Sequence, residues 1–346
     1  MRALLALLAL GVFLTAHELA HLVAARAFGT RAVVFSFGIG PPLFGFRALG
    51  QRWAVGALPF GGWLRLEGEN PHDPGRASGI PFAALSSWRK LAIFAAGPVG
   101  SWLVAVLLLT GLFVAGTHQP AGPVVGGVEP ASAAVRAGFR PGDRILSVSG
   151  VPIARWSDVV VELTRAAGTW TPVQLQRGAE IVEVQIRPEL DAEGRPRIGL
   201  RQLYVFERLP PRAALRRAVS HTAVVVQQLL SAAGRVLAQP WGGTARNSTA
   251  GALVWGAAEA AGASADALVR ALAALSLALS LFFLLPLPAL DGGRILFTLW
   301  EAARGRPVDA RVQTLLQMLS LLAGVVAVAW LAYGEVRQVL SLTLSH

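Results

Sequence analysis

The sequence predicts a polytopic α-helical membrane protein of about four transmembrane helices, with one small α+β domain inserted between the second span and the third. Three observations carry that prediction. Of 346 residues, 54% are hydrophobic and only 15% charged, and the mean hydropathy is +0.53, too apolar for an ordinary soluble chain. Four stretches, 3–28, 91–116, 271–290 and 315–333, approach or exceed the about 20 residues a helix needs to cross a hydrocarbon core. From 122 to about 200 the composition becomes that of a soluble domain, with short β-type runs at 144–148, 173–176 and 181–186 set between turn residues.

The first span is unlike the other three, which carry no charged side chain: it holds His17, Glu18 and His21 and ends near Arg26. Arg2 ahead of an apolar run also suits a secretory signal peptide, but such a segment has no use for two histidines and a glutamate. The loop that follows, 26–90, holds eight basic residues against three acidic ones, which puts it on the cytoplasmic side of a bacterial inner membrane. The N-terminus and the inserted domain then lie outside, and 294–311 inside.

Within that loop, 51–67 reads QRWAVGALPFGGWLRLE, a β-like stretch broken by Pro59, Gly61 and Gly62. Irregular backbone is tolerated at membrane depth only where protein buries it or a wet cavity borders it, so a substrate-facing hairpin and an interfacial loop both fit. Farther on, 211–237 is an apolar pattern interrupted by Arg212, Arg216, Arg217, His221 and Arg235, which predicts an amphipathic helix on the membrane surface. The parts are therefore 1–116, 117–205, 206–265 and 266–346.

Charge and cysteine content narrow the function. The formal net charge is +11, but the arginines are spread along the chain rather than gathered on one face, so the excess suits anionic lipid head groups and not nucleic acid. With no cysteine, any metal site must be built from histidine and carboxylate.

His17-Glu18-Leu19-Ala20-His21 is an H-E-x-x-H sequence on a helical segment. Residues four apart lie on one helix face, so both imidazoles project together and can hold one ion. Zn2+ suits neutral imidazoles, a catalytic site leaves one position to water, and Glu18 stands ready to take that water's proton. Ionisable groups inside a span cost about 2.5 to 3.5 kcal/mol each on insertion scales, and a divalent cation offsets them.

A third ligand should come from comparable depth, and one acidic residue borders a downstream span: Asp291, in FFLLPLPALDGGR, where Pro286 and Pro288 break the helix. A helix cap near Gly292 is the plainer role for that aspartate, and the two are compatible. The remaining histidines, His72, His118, His221 and His346, are expected to be solvated.

Resemblance adds to these readings. The stretch PASAAVRAGFRPGDRILSVSGVPI, 130–153, resembles the core of a bacterial, circularly permuted PDZ domain, which implies peptide termini bound at a sheet edge, with Arg197, Ile198, Gly199 and Leu200 lining the groove. HELAH in the first span, Leu290-Asp291-Gly292 after a proline-broken one and the PDZ-like insert between them resemble the site-2 protease family, in its regulator of sigma-E protease branch. The likeness extends to AGPVGSW at 96–102 and to FGGWL at 60–64, similar to the family's membrane-embedded β-loop, which implies substrate contacts at Phe60, Gly61, Gly62 and Trp63.

It implies an intramembrane zinc metalloprotease with His17, His21 and Asp291 as ligands, Glu18 as general base, and single-span membrane proteins such as anti-sigma factors or leftover signal peptides as substrates. Two positions depart from the pattern: Phe283 and Ser101 stand where asparagines that hold substrate backbone are usual. Rival readings are a PDZ-bearing membrane scaffold without catalysis and an ion-coupled transporter; the missing inverted repeat argues against the second.

Overall fold

Apolar length sets the first element. In a computed structural model of the chain, which describes residues 2–69, 79–190, 196–238, 265–309 and 311–326, helix α1 spans Arg2–Ala27. A hairpin follows: β1 (Ala32–Ala48) and β2 (Gln51–Leu66) are joined by Leu49-Gly50, both at positive φ, as the tight turns of twisted hairpins require. Sequence reading saw strand character only in 51–67. Its partner is legible in the run AVVFSF, which then meets Gly38, Gly40, Pro41 and Pro42.

The ladder is irregular. Residues 34–37 pair antiparallel with 62–65 and also register against 52–55, because the tip of the hairpin folds back on its own base. The base is buried: Ala32, Phe35 and Leu66 pack with Leu22 and Ala25 of α1 and with Ile93 and Phe94. Toward the tip, Leu43, Phe44 and Phe46 are exposed and apolar. Helix α2, Ser87–Ala115, carries Pro98 in its interior.

The chain divides into two compact units, Met1–Val114 with Pro210–His346, and Ala115–Leu209. The second unit holds β3 (Thr117–Val128), α3 (Ala133–Arg136), β4 (Arg144–Val148), β5 (Val151–Pro152), α4 (Trp156–Arg165), β6 (Thr171–Arg177), β7 (Glu180–Ile186), the short pair β8 (Glu189–Leu190) and β9 (Pro196–Arg197), and β10 (Leu200–Glu207). Its main sheet runs β10-β3-β4-β6-β7 with β5 on β4, so β10 is an edge strand. The amphipathic α4 turns Val159 and Leu163, four residues apart, onto Val125, Ile145, Val173 and Leu175.

Asp143, 1% exposed, ties this unit together: it accepts from Arg140 N and from both Nε and Nη2 of Arg177, at 2.7–2.8 Å. Burial opposes its charge, but the Arg177 pair and the Arg140 amide outweigh that and hold its carboxyl below the usual range.

The first unit resumes with α5 (Pro211–Ala238), α6 (Ala265–Phe283), α7 (Asp291–Arg304) and α8 (Arg311–Val326). Among the described residues three helices are long and apolar enough to cross a membrane: Leu8–Ala27, Ser87–Ala115 and Ala265–Phe283. The third begins before the expected 271–290 and stops at Phe283, since Pro286 and Pro288 have no N–H to continue the ladder. Of the fourth expected span, α8 covers the first part, and 327–333 lie outside the described residues. Helix α5 is not among the crossing helices; it buries a seam of Ala214, Ala218 and Thr222 and leaves Arg212, Arg216 and Arg217 exposed.

Asp143→Asn should destabilise the second unit by about 1.5 to 3 kcal/mol, because the charge-assisted bonds from Arg177 to the buried carboxylate are lost while Arg177 keeps Gly138 O and solvent. Since the folded carboxyl titrates below its unfolded value, this stabilisation is full above the unfolded pKa and is lost as pH falls through the folded one. Hydrogen exchange of the whole protein should show 115–209 opening more in the variant at neutral pH, and the difference shrinking in acid.

Candidate metal centre

One helical turn separates His17 from His21, and α1 points both rings toward α2 and the start of α7. His17 Nε2 lies 2.9 Å from Asp291 Oδ2, His21 Nε2 lies 3.2 Å from the same oxygen, and the two Nε2 atoms are 3.2 Å apart. His17 is 1% exposed, His21 7% and Asp291 9%.

Three donor atoms at these spacings form a triangle whose centre faces a single point. Ligands at about 2.0–2.1 Å from a tetrahedral zinc stand about 3.3 Å from one another, so the donor set fits such an ion with little adjustment. Among the described residues this is the one group of three with that geometry.

The outer nitrogens fix the ring orientations. His21 Nδ1 lies 2.7 Å from Ile93 O, which can only accept, so Nδ1 carries the proton and Nε2 keeps its lone pair for a metal. His17 Nδ1 lies 3.1 Å from the Ser101 hydroxyl. The Phe283 ring lies against His17, tilted by 32°, with centroids 4.1 Å apart. Both departures from the resembled pattern therefore bear on His17 itself.

Asp291 reaches the site because of what precedes it. The chain turns at 284–290 with short-range bonds such as Leu290 N to Leu287 O, and α7 starts at Asp291 with Leu290 as its N-cap and no side-chain cap. The capping role weighed from the sequence is thus absent: the carboxylate is the first helical residue and turns to the histidines. Gly292 permits the reversal, since a methyl group there would stand 2.3 Å from the carbonyl oxygens of Leu284 and Leu285.

Helix α2 closes the other side. A methyl group at Gly97 would sit 2.2 Å from His21 Nε2 and 2.5 Å from His17 Nε2, so only glycine leaves room for the ligands and an ion. Pro98 removes a donor from α2, and Ser276 and Ser280 of α6, one turn apart, donate to Ser101 O and Pro98 O at 2.8 Å each, holding the two helices together. Sequence reading missed these serines; two hydroxyls spaced by four in an otherwise apolar run are the signal.

The hairpin abuts α1 at Thr15 and Glu18. Thr15 Oγ1 lies 3.0 Å from Gly61 O, and a methyl group at Gly62 would stand 3.3 Å from Glu18 Cγ, so the FGGWL segment runs beside Glu18. Trp63 is half exposed. Arg294 pairs with Glu69 at 3.0 Å and covers Phe94, linking α7 to the end of the hairpin.

Of the other expected site residues, Ile198 and Leu200 pack on the core of the second unit, and the carbonyls of Ile198 and Gly199 accept from Ala134 N and Glu129 N. Arg197 ends β9. His221 is not a solvated side chain: it is half-buried, edge-on to Phe113. His118 meets Phe206, while His72 and His346 lie outside the described residues.

The family model of Peptidase family M50 matches residues 5–327. The chain belongs to that family. This agrees with the site-2 protease resemblance carried by HELAH and LDG. Relatives of this M50 member are each named "putative zinc metalloprotease": one of Brucella suis biovar 1 is 30% identical over 91% of this chain and 90% of its own, and one of Agrobacterium fabrum is 29% identical over 94% and 93%. A third, of Clostridium perfringens, is 27% identical over 90% and 91%. A crystal structure of the PDZ domain of an SdrC-like protein from Listeria monocytogenes covers 25% of this chain and 90% of its own, at 18% identity and a TM-score of 0.22. As a member of M50 with three such helices, the protein is a membrane protein of a peptidase family.

Gly97→Ala should lower the metal content of the purified protein about tenfold or more, because its methyl group takes the space of the ligand nitrogens. Gly111→Ala, on the same helix with nothing within 4 Å, should retain full metal, as elemental analysis of the two variants would show.

Proposed function

We propose that the protein is an intramembrane-cleaving zinc metalloprotease that hydrolyses peptide bonds in or near the membrane segments of single-span proteins. The observation that carries it is the meeting of His17, His21 and Asp291, with Glu18 beside the first ligand, among helices apolar enough to lie in a bilayer.

In this reading His17, His21 and Asp291 hold the zinc, which when bound supplies a Lewis acid for water and for the scissile carbonyl. Glu18 accepts a proton from the attacking water as its oxygen bonds to the carbonyl carbon. When the C–N bond breaks, Glu18 returns that proton to the leaving amine. Phe283 and Ser101 keep His17 oriented.

A membrane helix pairs its own backbone amides and must unwind before a carbonyl is reachable. The outer strand of the hairpin, Phe60, Gly61, Gly62 and Trp63, runs beside Glu18 and would receive the unwound substrate as an added strand. The exposed apolar tip of the hairpin suits burial in lipid.

The 117–205 domain would lie on the outer side of a bacterial inner membrane and select substrates by their peptide termini. Its edge strand β10, entered from Arg197, Ile198, Gly199 and Leu200, exposes Tyr204, Val205 and Phe206 for a peptide to lie along. The N-terminus would be outside and the zinc site toward the cytoplasm.

Glu18→Gln, purified in detergent and given a single-span model substrate, should lose cleavage by about 10²- to 10⁴-fold while its zinc content stays that of the parent. Unchanged cleavage would favour a scaffold in which the metal only stabilises the fold, and ion transport without cleavage by the parent protein would favour a transporter.

A further inference from the structure

Where α1 leaves the apolar segment, the chain turns through Gly29, Thr30 and Arg31 against the Leu49-Gly50 turn of the hairpin and against Gly79. A cleft of about 670 Å³ opens there, lined among others by Arg26, Thr30, Arg31, Gly50, Gln51 and Gly79. It is separate from the metal centre and has no part in the reaction proposed above.

The chemistry of its walls is one-sided. Arg26 Nη2 donates to Leu49 O and to Gln51 Oε1, both at 2.9 Å, which fixes one guanidinium at the cleft. Arg31 is exposed and has no ion pair among the described residues. Glu67, whose backbone N–H donates to Arg31 O, does not line the cleft, and its carboxylate accepts from Gly79 N at 3.2 Å.

Two further wall groups are buried with nothing to bond: the Thr30 hydroxyl, on a residue 0% exposed, and Gln51 Nε2, on a residue 4% exposed. A buried donor without a partner loses its hydration and gains nothing in return, and most native proteins avoid it. Here both donors belong to residues that line one cleft with Arg26 and Arg31, a set of groups that an oxyanion with several acceptor atoms would satisfy.

We propose that this cleft binds a phosphate-class anion. Its place at the end of the apolar segment Leu8–Ala27 sets it at the depth of lipid head groups, so the phosphate can arrive on a phospholipid or free from solution. Bound there, the anion bridges the end of the ligand-bearing helix and the turn of the hairpin. It would stiffen the seat of the FGGWL segment without touching substrate.

The test uses the full-length protein in an uncharged maltoside detergent, titrated separately with inorganic phosphate, short-chain phosphatidylglycerol and short-chain phosphatidylcholine, and read by thermal shift and native mass spectrometry. Saturable binding that Arg31→Glu weakens about tenfold or more is expected, with Arg212→Glu, on the exposed face of α5, unchanged. Binding of phosphate and both lipids supports a site for the shared group; binding of phosphatidylglycerol alone supports an anionic lipid site.

Thr30→Val keeps the side chain's shape and removes only the hydroxyl, so it reports on the site even where charge reversal disturbs folding; it should weaken binding several-fold. No saturable binding by any probe, or affinity unchanged in both Arg31→Glu and Thr30→Val, overturns the proposal.

Discussion

Two imidazoles and one carboxylate held within 3.2 Å of one another, in an interior made of apolar helices, are the constraint around which the first unit is arranged. Such groups are costly to bury apart, and a shared cation compensates all three at once. The helix that carries the histidines is met by two helices that must come unusually close, and each does so by local means. One presents a glycine to the ligand nitrogens, and the other ends in a proline-broken turn that delivers Asp291 as the first residue of a new helix. Serine hydroxyls at 276 and 280 secure the contact where Pro98 loosens the backbone.

The same arrangement explains why the hairpin lies where it does. Thr15 and Glu18 occupy one stretch of α1, and the backbone of Gly61 and Gly62 comes against it because neither residue has a side chain in the way. The Arg294 to Glu69 pair then ties the aspartate-bearing helix to the end of the same hairpin, so the elements that carry the ligands and the strand beside Glu18 share one set of supports. Phe283 and Ser101, which replace residues associated with substrate in the resembled pattern, make contacts to His17. In the proposed reading, substrate backbone falls to the hairpin.

Much of this was legible in the chain. H-E-x-x-H is a local signal on a periodic helix, and an acidic residue after two prolines at the end of an apolar run is conspicuous, so their pairing across the chain followed from the cost of burying each alone. The strands at 144–148, 173–176 and 181–186 showed as alternating runs between turns. What escaped the sequence depended on partners distant in it. The strand Ala32–Ala48 was hidden by its glycines and prolines, which serve a hairpin that folds back on itself. Gly97 reads as an ordinary glycine until the histidines are placed beside it. His221 looked solvated because nothing local reveals Phe113 as its neighbour.

The central claim is that His17, His21 and Asp291 grip one ion together. Zinc K-edge X-ray absorption of the purified protein addresses it directly, by counting imidazole and oxygen neighbours at the metal. The account predicts two imidazoles with oxygen completing a four-coordinate shell at about 2.0–2.1 Å, and a shell altered or emptied in Asp291→Ala. A spectrum without imidazole scattering, or one identical in Asp291→Ala, would contradict it.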